Sequence, residues 1–244
     1  MKNDLSIDDA LAQVETTVPP EAKAYFEYHR RRYAMLARLV RDLANKVKDD
    51  RPARVTIIGP GYEVPIISLV ADVEIVTVGL GESSVVDGRR HIQFDLRWLL
   101  DGVAVPDLEP ADILLLCEVI EHLPYPPEIA LSAFIPKIRV GGALVIQTPN
   151  AARLDARMKL LAGKNPFELL RSSLENPGHY REYTVADMER MALGTNLSVD
   201  SVACHNYLNG GGRHPIVHKA YVRFESVVPT TLREGITAVL RTRQ

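Results

Sequence analysis

The chain is poor in cysteine, in aromatic residues and in excess charge of either sign. Its two cysteines, Cys117 and Cys204, do not make a disulfide framework. A small cross-linked secreted fold is thereby excluded, and a reducing, cytoplasmic setting is the expectation. Lys and Arg number 29 against 31 Asp and Glu, a net charge of -2 at pH 7. No global field draws such a chain to nucleic acid or anionic lipid, so a nucleic-acid substrate is not expected. No apolar run reaches membrane-spanning length, and the opening residues Met1 to Ser6 lack the apolar region of a secretory signal. Internal repeats and low-complexity tracts are also missing.

What is present is an alternation of strand and helix patterns. Residues 1 to 19 are polar and end in Pro19-Pro20, which predicts a loose lead-in. From Glu21 to about Lys48, Leu36, Leu39, Val40, Leu43 and Val47 keep the spacing of a core-facing helical stripe. His29-Arg30-Arg31-Arg32 lies on this helix, and a basic run predicts a solvated face. Val55–Ile58 reads as a strand running into Gly59-Pro60-Gly61. Such a turn lets backbone approach a ligand closely, although the same tripeptide is also an ordinary turn. Pro65 suits the first turn of a short helix. Strands follow at Val73–Val78, ending in Gly79-Leu80-Gly81-Glu82, at His91–Phe94, ending at Asp95, and at Asp112–Cys117. A helix over 126–138 and a strand over Ala143–Gln147, closed by Thr148-Pro149-Asn150, continue the pattern. It predicts an α/β fold with a doubly wound, mostly parallel sheet.

Residues 151–178 break the rhythm with two helical patterns, 151–162 and 167–173, read as a cap over the site. Thr184 and Asp187 start another helix that ends at Gly194. A strand over Leu197–Cys204, a glycine loop over 209–212, a helix over 214–226 and a last strand over Gly235–Leu240 complete the chain. The division expected is 1–50 as lead-in and helix, and 51–244 as the main domain.

The stretch from Ala111 to Leu123 joins a buried strand to Glu118, Glu121 and His122. These three share one face if the backbone turns helical after the strand. They then converge beside the carboxyl end of a central strand, where open α/β sheets place ligands.

Three segments carry a family resemblance: Cys117-Glu118-Val-Ile-Glu121-His122-Leu123, Val140-Gly-Gly-Ala-Leu-Val-Ile-Gln-Thr-Pro-Asn150 and His179-Tyr-Arg-Glu-Tyr-Thr184. Together they resemble class I S-adenosylmethionine-dependent methyltransferases from about Val55 onward. They look most like the Glu-x-x-Glu-His branch of sugar, ubiquinone-biosynthesis and small-RNA terminal O-methyltransferases. The resemblance implies a Rossmann-like sheet of seven strands, the last antiparallel, and S-adenosylmethionine as cofactor. It places Gly59 and Gly61 at the methionine end and Asp95 at the adenine. Cys117, in the buried strand a small apolar residue, is assigned with them to the cofactor site. The expected reaction is O-methylation of a small hydroxylated substrate such as a sugar, glycan or phenol.

Two departures bear on the cofactor. Ile57 stands where the family has an acid for the cofactor's ammonium, and Gly79 where it has an acid for the ribose; Glu63 also replaces a third glycine. Losing two charged hydrogen bonds costs about 3–6 kcal/mol, or roughly two to four decades of affinity. Glu63 and Glu82 lie close by and can compensate in part. The same departures raise an alternative, a methyltransferase-like scaffold with a weakened site. The resemblance further implies a divalent cation, Mg or Mn, on Glu118, Glu121, His122 and His179, which would lower the pKa of a substrate hydroxyl. Without metal, His122 or His179 is the candidate general base, Glu118 pairs with His122, and Glu121 is solvated.

Overall fold

Seven consecutive residues, Ala111–Cys117, are buried in the computed structural model. A strand covered on both faces needs such an apolar run. The described residues are 5–47, 49–86, 88–173, 177–195, 197–206 and 228–243. In chain order the helices and strands are α1 (Ile7–Glu15), α2 (Lys23–Ala44), β1 (Ala53–Ile58), α3 (Glu63–Val70), β2 (Val73–Gly79), β3 (Ser84–Val86), β4 (Arg89–Gln93) and β5 (Ala111–Cys117). Then come α4 (Pro127–Phe134), β6 (Ile138–Pro149), α5 (Leu154–Leu161), α6 (Val185–Gly194), β7 (Leu197–His205) and β8 (Gly235–Thr242).

The strands lie in the order β3-β4-β2-β1-β5-β6-β8-β7. Neighbours from β4 to β6 are parallel, and β8 runs antiparallel to β6 and β7. Seven strands thus form the expected doubly wound sheet, with β3 added at its edge. β3 doubles back antiparallel on β4. Among the described residues no helix connects β2 to β4, where a parallel pair usually has one.

Alternate side chains of β5 enter different layers. Leu114 and Leu116 join Ile58, Val78, Leu144 and Ile146 under α4 and α6. Ile113, Leu115 and Cys117 join Val55 and Ile57 under α1, α2 and α3. Burying one such leucine or isoleucine is worth about 1.5–3 kcal/mol. At the amino end of β5, Asp112 accepts from Arg51 at 2.8 Å and from the Arg54 N–H at 2.7 Å, pinning β5 beside β1.

Four expectations need correction. The lead-in contains a helix, α1, whose Ser6 hydroxyl oxygen accepts from the Asp9 N–H at 3.1 Å. Its buried Ile7, Ala10, Leu11 and Val14 form a stripe that the polar flanks conceal. The basic run is not a solvated face: His29 and Arg32 are buried, and only Arg31 is fully on the surface. The second cap helix, 167–173, does not form. Leu169 and Leu170 are exposed there, so an apolar face would have nothing to pack on. The helix over 126–138 stops at Phe134, because Pro136 sits in a following 3-10 turn, Ile135–Lys137. The loop over 209–212 and the helix over 214–226 lie outside the described residues. No described helix is long and apolar enough to cross a membrane.

Candidate active site

The carboxyl ends of β1, β2 and β5 open onto a cavity of about 340 Å3, bordered by Gly59, Gly79, Asp95, Glu118 and His122. Gly59 has φ +69°, and a Cβ there would stand 2.8 Å from Val119 Cγ2. Only glycine meets both conditions. Gly61 borders a neighbouring groove instead, and its N–H donates to Glu63 Oε1 at 2.6 Å. Glu82 is exposed and lines that same groove, away from the cavity.

The two missing acids have structural causes. Ile57 is buried in the layer under α1, α2 and α3, where a carboxylate would be desolvated. A Cβ on Gly79 would lie 3.0 Å from Pro60 Cδ. Asp95 borders the cavity, yet it also caps a 3-10 turn, Leu96–Asp101, accepting from the Arg97 N–H at 2.9 Å. The Arg97 guanidinium, 2.5 Å away, holds the Asp95 carboxyl below the usual range. Cys117 joins the α1–α2–α3 layer rather than the cavity wall, and burial pushes its thiol pKa up.

At the end of β5, Glu118 has φ +56°, the only non-glycine positive φ among the described residues. A left-handed residue of this kind costs about 1–2 kcal/mol and is a frequent mark of a functional site. A 3-10 turn follows at Ile120–His122. Glu118 therefore stands outside that turn, and the four expected ligands do not converge. Three of them do: ligand atoms of Glu121, His122 and His179 lie within 4.8 Å of one another. The Tyr180 N–H donates to the Glu121 carbonyl at 2.8 Å and so docks the His179 segment on the turn.

The surroundings of the three are specific. Glu121 is fully buried, so it is not the solvated carboxylate of the simpler reading. Its Oε2 accepts from the Thr148 hydroxyl at 2.9 Å, while Oε1 has no hydrogen-bond partner among the described residues. Burial, reinforced by the Glu118 charge, raises the Glu121 pKa well above the ordinary value. His122 Nδ1 lies 3.0 Å from the Gly178 carbonyl. A carbonyl only accepts, so Nδ1 carries the proton and Nε2 keeps its lone pair. Burial lowers the His122 pKa, which favours that neutral ring. His179 Nδ1 faces Glu182 Oε1 at 3.5 Å, and Glu182 is itself ion-paired with Arg153. Contacts of this kind orient imidazoles that ligate metals.

A family model described as a methyltransferase domain matches residues 26–202. The chain belongs to that family. It is an S-adenosylmethionine-dependent methyltransferase. A solved structure of a SAM-dependent methyltransferase from Archaeoglobus fulgidus is similar with TM-score 0.53 and 16% identity, over 90% of this chain and 98% of that one. A chain from the complex between the Haloferax volcanii Trm112 methyltransferase activator and its methyltransferase gives TM-score 0.60 at 11% identity, over 98% of both. An O-methyltransferase family 2 protein from Planctomyces limnophilus, in complex with apigenin, gives 0.53 at 14% identity, over 97% of this chain and 61% of that one. At these identities the likeness is one of fold. No curated protein matches.

Sequence reasoning about this methyltransferase put Arg32 on a solvated face. Its side chain is 3% exposed and stacks 4.7 Å above the Tyr33 ring. Nε donates to His29 Nδ1 at 3.2 Å, Nη2 lies 3.9 Å from Glu63 Oε2, and Nη1 is buried without a hydrogen-bond partner among the described residues. An unmade buried donor costs about 1–3 kcal/mol, and more when charged. The signal was available: His29, Arg32 and Tyr33 continue the stripe of Leu36, Val40 and Leu43. Thr148 and Glu182, which orient the cluster, sit inside the segments that carried the resemblance.

Proposed function

We propose that this enzyme belongs to the Glu-x-x-Glu-His branch and methylates a hydroxyl oxygen of a small sugar, glycan or phenol in the cytoplasm. In this reading Glu121, His122 and His179 hold a divalent cation, Mg or Mn. The supporting observation is the Glu121 carboxylate, whose Oε1 is buried without a hydrogen-bond partner among the described residues and which has an oxygen within 4.8 Å of two imidazoles. The carboxylate supplies the oxygen that Mg and Mn prefer, and the two neutral imidazoles favour Mn over Mg. Gly59 and Gly61 are assigned to the cofactor's methionine end and Asp95 to its adenine; Gly59 and Asp95 border the cavity at the sheet's carboxyl edge, and Gly61 borders the adjoining groove. Glu82 and Cys117 lie off that cavity and are not assigned.

The cation would supply a lowered pKa for the substrate hydroxyl. The chain's own part is to orient that oxygen in line with the methyl group and to keep water away. His122 borders the cofactor cavity, so the cluster adjoins the place where methyl transfer is assigned. Leu123, Pro124 and Tyr180 border both that cavity and a second one of about 470 Å3, which Tyr125 and Tyr183 also line. Aromatic walls suit a phenol or a sugar ring.

The test is S-adenosylhomocysteine release with a panel of phenols, catechols and sugars. His179→Ala and chelator treatment should each abolish turnover, while S-adenosylhomocysteine affinity stays near that of the wild type. Mg²⁺ or Mn²⁺ should restore the chelated wild type. Full, chelator-resistant turnover in His179→Ala would leave His122 as a metal-free general base.

A further inference from the structure

We propose that the second cavity is a subsite for a neutral sugar ring attached to the ring that is methylated, so that the acceptor is a glycoside rather than a free phenol or monosaccharide. The proposal rests on the reading that a hydroxyl is methylated beside His122. In that reading the cofactor takes the first cavity, of about 340 Å3, and the acceptor has to extend elsewhere. The second cavity, of about 470 Å3, meets the first along Leu123, Pro124 and Tyr180. Small-molecule sites have volumes of this order, about 300–1,000 Å3. Tyr180 stands at the junction, 41% exposed, and its N–H donates to the Glu121 carbonyl at 2.8 Å, which fixes it to the turn of the cluster. An acceptor whose reacting hydroxyl lies at the cluster passes the Tyr180 ring and enters the second cavity with the part that does not react.

The floor of the second cavity is apolar, with Leu123, Pro127 and Met191 buried. The Tyr125 and Tyr183 hydroxyls donate to main-chain carbonyls, of Leu96 at 2.7 Å and of Ile120 at 3.4 Å, so their rings add only more apolar surface. The rim is charged and balanced. Arg181 and Arg190 each donate to Asp187 Oδ1 at 3.1 Å, and Glu128 supplies a second carboxylate. Two cations and two anions give the rim no net charge, so it does not select a phosphate or a carboxylate. Each guanidinium spends one N–H on Asp187 and keeps further donors, and Glu128 offers acceptors. A few polar groups around an apolar floor fix the orientation of a ligand in such sites. A sugar ring has the matching form: a C–H face for the floor, and neutral hydroxyls that both donate and accept for the rim. A second phenol would use the floor and leave the rim idle.

The experiment compares acceptors that differ only by an added sugar: hydroquinone with its glucoside, galactoside, mannoside and xyloside, and glucose with maltose and cellobiose. Calorimetric titration into the complex with S-adenosylhomocysteine gives each affinity, and S-adenosylhomocysteine release gives each kcat/KM. At least one glycoside should exceed its parent tenfold in affinity, and in kcat/KM where both turn over. The phenolic and saccharide arms distinguish which kind of ring is methylated. Arg190→Ala, at an exposed position of α6, should cut the preference at least fivefold, through KM rather than kcat, with circular dichroism confirming its fold. A merely structural role would lower both members of a pair alike. If the variant does not fold, the wild-type comparison decides alone. No gain from the added sugar in any pair would overturn the proposal, as would a preference that folded Arg190→Ala retains in full. Turnover of hydroquinone or glucose alongside such a result leaves the hydroxyl-methylation reading standing. Neither binding nor turnover with any of the acceptors, in protein that binds S-adenosylhomocysteine, would remove that reading and the proposal together.

Discussion

On the β1–β2–β4 half of the sheet's carboxyl edge, polar groups are engaged in building the fold. Asp95 caps a turn and pairs with Arg97, Gly79 is pressed by Pro60, and Ile57 is sealed in a core. On the β5–β6 half, polar atoms are buried and left open. Among the described residues Glu121 Oε1 has no hydrogen-bond partner, and the His122 Nδ1 contact leaves its Nε2 lone pair available. Open buried acceptors are costly unless something else binds them. The difference teaches that the first half tolerates departures from the family pattern through backbone contacts, whereas the second half depends on its side chains. Substitutions in the two halves should therefore fail in different ways.

The largest effect is expected from Glu121→Gln. The amide keeps the shape of the side chain and an acceptor for Thr148, but loses the charge. Turnover should fall at least 100-fold, about 2.7 kcal/mol, with S-adenosylhomocysteine affinity changed less than threefold. Melting should be unchanged or higher, since a buried ionisable group is replaced by a neutral one. A loss of cofactor affinity equal to the loss of turnover would break the division between the halves.

Gly59→Ala comes next. It places a Cβ 2.8 Å from Val119 Cγ2 at φ +69°. Left-handed strain and overpacking together should cost about 1–3 kcal/mol in urea unfolding. S-adenosylhomocysteine affinity should drop more than tenfold. Gly61→Ala should do less, because its Cβ would meet only the Glu63 carboxylate, at 3.0 Å. If Gly61→Ala proved the more damaging, the methionine end would belong over Gly61 rather than beside the cavity.

These contrasts follow what could be read from the residues. β5 was legible because a strand buried on both faces must be an apolar run, whatever surrounds it. The capping box of Thr184 and Asp187 was legible because it is local, and it forms as read. The four-ligand cluster failed at Glu118, because a shared helical face requires α-helical backbone and the chain there passes through φ +56°. The three ligands that do meet include His179, which composition alone could not bring to the turn. Arg32 was misread for the same reason. Its burial is decided by Glu63 on α3 and by the end of β5, both distant in the chain.

His29 offers a smaller effect with a definite sign. Burial, with the Arg32 charge, lowers its pKa to about 3 from an ordinary 6.5. Between those values the unfolded chain binds a proton that the folded chain refuses. Stability should therefore fall as pH drops below about 6.5, by at most about 1.4 kcal/mol per pH unit from this one group. His29→Phe removes the group and should flatten the acid limb of stability against pH. Parallel limbs for the two proteins would show that His29 accepts its proton without unfolding.

The smallest effect is expected at Asp95, where the two roles of one carboxylate can be separated. Its Oδ1 accepts from the Arg97 N–H, a cap whose loss typically costs about 1 kcal/mol. Its pairing with the Arg97 guanidinium is partly solvated, and such pairs contribute about 0–1 kcal/mol. Asp95→Asn keeps a cap acceptor and loses the charge, so its stability should stay within about 0.5 kcal/mol of wild type. Asp95→Ala loses both and should fall by about 1 kcal/mol. If the carboxylate also meets the adenine amino group, Asp95→Ala should bind 5′-methylthioadenosine about tenfold more weakly, roughly 1.4 kcal/mol. That ligand isolates the adenosine end, so the measurement is independent of how the methionine end is held. Unchanged nucleoside affinity, together with the loss of stability, would take Asp95 out of the cofactor site and leave it a cap.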